Sequence, residues 1–164
     1  MSALTLASLP APLRSIATQP LFAMRFDVRG PENVGATPGA DRRIGVITGG
    51  RFEGERLRGE VLDGGSDWQS VRRDGSWTLD VRVVLRTDDG ALIGMTYGGV
   101  RRGPPEILAA LARGEDVDPA SYYFRSNPVF ETASEKYAWL NGILAIGTGH
   151  RFPDGPLYSI FEVL

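Results

Sequence analysis

The chain has 164 residues, 42% apolar and 23% charged, with a formal net charge of −2; this is one domain's worth of sequence with enough apolar mass to bury a core. It has no cysteine and a single histidine, His150, which excludes disulfides and thiolate chemistry and argues against a histidine metal cluster or a Ser-His-Asp triad. The near-neutral balance gives no global attraction to nucleic acid or to an anionic membrane.

In chain order, residues 1–19 read as an extended lead-in, with Pro10 and Pro12 opposing a helix. This stretch lacks a basic n-region and a long apolar run, so neither a signal peptide nor a membrane span is expected and the protein is placed in the cytoplasm. Residues 20–164 are expected to form one domain. Pro20–Val28 alternates, with Phe22, Met24, Phe26 and Val28 on one face, and predicts a strand. Gly30–Asp41 carries turn residues throughout and reads as a long loop of the kind that serves as a lid. The stretch Ile47–Gln69 holds two Gly-Gly pairs, Gly49-Gly50 and Gly64-Gly65, which mark corners between strands. Strands are expected at Ile44–Ile47, Arg51–Glu53 and Leu57–Leu62. The strongest strand pattern is Ser76–Thr87, where Trp77, Leu79, Val81, Val83 and Leu85 form an unbroken apolar face. Asp89-Gly90 then predicts a hairpin into a strand at Ala91–Val100. One helix follows, with Pro104 and Pro105 in its first turn and Arg113-Gly114 at its close. The remainder returns to strands at Tyr122–Ser126, Val129–Thr132, Tyr137–Thr148 and Leu157–Val163. Many short strands, Gly-rich corners and one short α-helix predict an all-β fold, a closed or nearly closed antiparallel β-barrel, with a sandwich as the alternative.

The runs RRIGVITGGRFEGERLRGEVLDGGSDWQ, LDVRVVLRTDDGALI, GVRRGPPEIL, YYFRSNPVFET and KYAWLN together resemble the small bacterial and fungal proteins of the domain of unknown function 3237 family. The resemblance covers about Pro20 to Leu164, in order and without an obvious gap. It implies an antiparallel β-barrel of calycin-like or allene-oxide-cyclase-like architecture with a pocket in the barrel. It implies little about a reaction, since a fold hosts many activities.

Two inside-outside assignments of Ser76–Thr87 are open. In one, the Trp77-to-Leu85 face is core and Asp80 and Arg82 are solvated. In the other, Asp80 and Arg82 line a polar cavity while the apolar face is covered by the helix or by another subunit, so that a homo-oligomer, a dimer first, is expected. The Asp-x-Arg pattern is part of what the chain shares with the family. The candidate catalytic set follows the second assignment: Arg82, oriented by Asp80, would hold an anionic or carbonyl oxygen. Asp67 lies beside Trp68 and the Gly64-Gly65 corner with no basic neighbour before Arg72; it is the candidate general acid or base, the alternative being a turn-bracing side chain. Tyr97, Tyr123, Arg125, Trp139 and Asn141 are polar-tipped groups on predicted strands and complete the binding set, with Trp68 at its edge and Glu60 as a second carboxylate across the barrel. His150 is placed at a strand end, and Arg101-Arg102 reads as a local basic spot in solvent. The expected partner is a small-molecule ligand, with no metal, cofactor, nucleic acid or membrane. The expected function is a cofactor-free lyase, isomerase or cyclase working by general acid-base catalysis on a small cyclic or carbonyl-bearing metabolite. The alternative is a non-catalytic, lipocalin-like carrier barrel.

Overall fold

Period-two alternation over eleven residues decides the architecture. In the computed structural model, which describes residues 4–164, β5 (Trp77–Thr87) buries Leu79, Val81, Val83 and Leu85 to 5% exposure or less and leaves Asp80, Arg82, Val84 and Arg86 in solvent. Four aliphatic side chains on one face are worth several kcal/mol when removed from water, which is far more than an exposed Asp-x-Arg pair returns. The apolar face therefore points inward, and an outward apolar wall on this strand no longer argues for a dimer.

The other strands are β1 (Thr18–Ala36), β2 (Asp41–Glu53), β3 (Arg58–Val61), β4 (Gly65–Val71), β6 (Leu92–Arg102), β7 (Tyr123–Ser126), β8 (Val129–Glu131), β9 (Ala145–Phe152) and β10 (Gly155–Val163). All their pairings are antiparallel. They run β2-β1-β10-β9-β7-β6-β5 around the ring, and β3 and β4 together fill the one remaining place between β5 and β2. The ring is thus a closed β-barrel with no central edge left unpaired. One helix, α1 (Pro105–Ala112), follows β6.

One end of the barrel is filled. Phe22, Phe52, Val61, Leu85, Ile93, Met95, Phe130 and Leu140 are buried in a single core cluster, and Phe22 meets Phe52 and Phe130 with ring centroids 5.4 and 6.0 Å apart. At the other end α1 lays Leu108 and Leu111 across a remaining space.

Three stretches differ from the sequence reading. Gly30–Asp41 is mostly strand: β1 continues to Ala36 and turns through Thr37–Ala40, where Thr37 N–H donates to the Ala40 carbonyl at 2.8 Å. Both faces of this ribbon are largely exposed, so no apolar alternation marks it, and its register shift between Arg29 and Glu32 accommodates Pro31, which has no N–H to pair. β4 carries polar residues at most positions and likewise has no apolar period. Tyr137–Thr148 divides into a 3-10 turn at Ala138–Gly142 and β9, which begins at Ala145. The N-terminal segment forms two single 3-10 turns, Leu6–Ser8 and Ala11–Leu13, both largely exposed; residues 1–3 lie outside the described residues.

Candidate functional site

The space under α1 is a cavity of about 230 Å³. Its wall is built by register. Gly45 on β2 pairs Asp67 on β4, Asp67 pairs Val81 on β5, and Val81 pairs Tyr97 on β6. One level nearer the mouth Gln69 pairs Arg43, and beyond it Trp77 pairs Arg101, which in turn pairs Phe124. Tyr158 on β10 joins the lining, along with Phe26, Ile47, Leu79 and Arg151. The site therefore consists of inward residues on neighbouring strands, Asp67 and Gln69 two apart on β4 and Arg101 on β6, with Tyr97 buried four residues before Arg101 on the same face.

A Cβ on Gly45 would sit in ordinary contact with Gln69 Nε2 and the Asp67 Cβ, at 3.5 and 3.6 Å, so glycine leaves that part of the wall unfilled. The Gln69 amide donates to Asp67 Oδ2 at 2.7 Å, while Oδ1 is buried with no partner. Burial dominates this carboxyl, lifting its pKa from 3.8 to about 6 against the opposing Gln69 hydrogen bond and the charge of Arg101. Burial also pushes the Tyr97 and Tyr158 hydroxyls up, with the Asp67 charge adding to it, so both stay protonated. Desolvation lowers the Arg101 pKa, yet a guanidinium keeps its charge. Trp77 carries two guanidinium groups over its ring, with Arg101 Cζ 4.4 Å and Arg43 Cζ 4.9 Å from the centroid. Among the described residues five buried side-chain polar atoms lack any partner; three belong to the lining residues Arg43, Asp67 and Arg101, and a fourth is the Tyr97 hydroxyl. Buried polar groups are normally satisfied, so this concentration marks a place built for something else to complete.

Of the residues singled out in the sequence, Asp67 and Tyr97 come together here. Asp80 and Arg82 do not: both lie on the solvent face of β5, because its apolar side chains occupy the interior. Trp68 is one residue out of phase with Asp67, 48% exposed, with Arg42 Cζ 6.0 Å from its ring. Glu60 also points outward and accepts from Arg86 Nε at 2.8 Å. Tyr123 and Arg125 share the outer face of β7, where Arg125 donates to Thr148 Oγ1 at 3.0 Å. Trp139 and Asn141 sit in the 3-10 turn rather than on a strand, and Arg56 Cζ stacks 3.5 Å from the Trp139 ring. Asn141 grips one residue at both ends: its Oδ1 accepts from Thr132 N–H at 2.8 Å and its Nδ2 donates to the Thr132 carbonyl at 2.9 Å. Asn141→Ala is expected to cost about 1–2 kcal/mol in urea unfolding by releasing this pair, with ligand binding in the barrel unchanged.

His150 is buried within β9. The Tyr122 hydroxyl accepts from Arg151 N–H at 2.9 Å and shares a hydrogen bond with His150 Nδ1, also at 2.9 Å. This makes His150 a fastener between β9 and the segment before β7. Arg101 is the clearest correction. The pair Arg101-Arg102 was expected in solvent, but only Arg102 is exposed, while Arg101 points into the cavity. Continuing the alternation from Tyr97 through Gly99 would have found it, and the same step from Ile47 through Gly45 leads to Arg43.

A family model described as a protein of unknown function (DUF3237) matches residues 16–163. The chain belongs to this family. A relative, a UPF0311 protein of Rhodopseudomonas palustris, is 35% identical over 150 residues, spanning 92% of this chain and 98% of that protein. The crystal structure of a conserved R. palustris protein of unknown function superposes with a TM-score of 0.89 at 35% identity, covering 92% of this chain and 99% of that one. A β-barrel-like protein of Acinetobacter baumannii gives a TM-score of 0.80 at 41% identity, over 92% and 97% of the two chains. More distantly, a hydroalkoxylation enzyme of Penicillium herquei is 28% identical over 107 residues, 65% of this chain and 56% of that enzyme. Membership in DUF3237 thus accounts for the barrel, and the reaction has to be argued from the cavity.

Proposed function

We propose that this DUF3237 protein is a cofactor-independent enzyme that moves a proton on a small molecule held in the barrel, with Asp67 as the general acid or base. The observation that carries this reading is the convergence of unpartnered buried polar atoms, on Asp67, Arg43 and Arg101, around one cavity. A carboxyl whose pKa stands at about 6 is populated in both protonation states near neutrality, which is what a proton-transfer group needs. Tyr158 acts as a protonated hydrogen-bond donor to an oxygen of the substrate, and Arg101 supplies positive charge where that oxygen gains electrons. Hydroalkoxylation, the activity named for the fungal relative, adds an O–H across a carbon–carbon double bond and so also turns on moving a proton; it belongs to the lyase and cyclase chemistry this site suits.

The test is incubation of the protein with a metabolite extract in D₂O, followed by mass spectrometry. The expected result is an isomerised or cyclised compound, or one carrying an added deuterium, made by the native protein and lost or slowed about 10²–10⁴-fold in Asp67→Asn. A product formed equally fast by Asp67→Asn would sink the assignment. A compound retained unchanged by both proteins would favour a carrier.

A further inference from the structure

We infer that the ligand of this cavity is a small planar organic anion, a carboxylate or phenolate on a ring, received by Arg101 and Arg43. This names the substrate class of the site proposed above and rests on the cavity being a ligand site. The first support is charge. Arg29, Arg43, Arg101 and Arg151 line the cavity against the single carboxyl of Asp67, in a chain whose net charge is −2. Glu32 lies 3.7 Å from Arg29 and Asp41 lies 3.5 Å from Arg43. Arg101 and Arg151 have no carboxylate within ion-pair distance among the described residues.

The second support is geometry. A desolvated guanidinium costs stability unless an anion or a dense set of acceptors completes it. Arg101 has a buried Nε with no partner, and so does Arg43. Both are held against the same ring, Trp77, with Cζ 4.9 and 4.4 Å from its centroid. A guanidinium immobilised in this way has already lost its rotamer freedom, so a planar carboxylate can dock on its N–H fork at little further entropic cost. The Trp77 ring is thereby occupied by cations, and the ligand's own ring falls instead among Phe26, Leu79, Phe124 and Tyr158, with Leu108 and Leu111 of α1 closing over it. The volume of about 230 Å³ limits the ligand to one or two rings.

The experiment is isothermal titration calorimetry of the full chain at pH 7.5 with benzoate and 2-naphthoate, each compared with its neutral carboxamide. At least one carboxylate is expected to bind about tenfold or more tightly than its amide. Arg101→Met and Arg43→Gln should each reduce that preference, while Asp67→Asn, which removes a like charge from the cavity, should increase it. Thermal melting confirms that each variant is folded, and the two arginine variants on different strands guard against one of them failing to fold. Equal affinity for acid and amide, binding of none of the four probes below millimolar concentration, or a preference that survives both arginine variants would overturn the anion site. Tight carboxylate binding in a protein that converts nothing in D₂O would keep the anion site and remove the enzyme reading.

Discussion

Replacing Asp67 by asparagine is expected to stabilise the protein above pH 6 and to leave it nearly unchanged near pH 4. In the folded chain burial holds the Asp67 carboxyl at about 6, whereas in the unfolded chain it returns to an ordinary aspartate value. Between these two values the folded state holds a proton that the unfolded state has released, so the folded state loses stability as pH rises through this window. Above pH 6 the loss is complete, and a displacement of this size corresponds to on the order of 3 kcal/mol. Asparagine occupies the same volume, its carbonyl can still accept from Gln69, and it never ionises. For a chain of this length the gain corresponds to roughly 5–10 °C in Tm at pH 8, shrinking steadily toward pH 4. Differential scanning calorimetry of both proteins between pH 4 and pH 8 measures it. A Tm difference that does not vary with pH would show that Asp67 ionises like a surface aspartate. The same substitution should abolish proton transfer, giving the exchange of stability for function expected where a buried ionisable group is kept for its chemistry.

Gly50→Ala is expected to destabilise the barrel by about 3 kcal/mol or more, against about 1 kcal/mol for Gly64→Ala. Both glycines belong to the Gly-Gly pairs and both have positive φ, +146° for Gly50 and +98° for Gly64; Gly64 directly precedes β4, but Gly50 lies inside β2, where a corner between strands was expected. They differ in surroundings. A Cβ on Gly50 would fall 2.2 Å from the Arg25 carbonyl oxygen, which is backbone and cannot move without dragging β1, whereas a Cβ on Gly64 would meet nothing within 4 Å. Gly50 pairs with Phe26 on one side and Val61 on the other, so the strain would reach both neighbours of β2. Guanidinium unfolding of the two variants separates a backbone-conformation penalty from a steric one, and near-equal effects would mean that close approach at Gly50 is not limiting.

The strands with an apolar face were legible in the sequence. On Phe22 to Val28 and on Trp77 to Leu85 the hydrophobic period is the driving force itself, so pattern and burial coincide. The polar segments were not. The distal half of β1 and the whole of β4 are held by backbone pairing to β2, which leaves no side-chain signature, and so the strand carrying Asp67 was read as a corner. The candidate site was legible to the same degree. Asp67 could be singled out because a carboxylate beside a glycine corner and a tryptophan is chemically conspicuous, although Trp68 itself turned out to face the other way.

What the sequence determined by itself was an all-β chain, its family, the apolar face of its alternating strands and one carboxylate worth attention; which face of Trp77–Thr87 lies inside was decided by the barrel. Which polar residues face that carboxylate was decided only by closure of the barrel. Arg43, Arg101 and Tyr158 come from β2, β6 and β10, and no local period relates them. They meet because ring closure sets the register between strands far apart in the chain, and a shift of one residue on any of them would turn its side chain from the cavity to solvent.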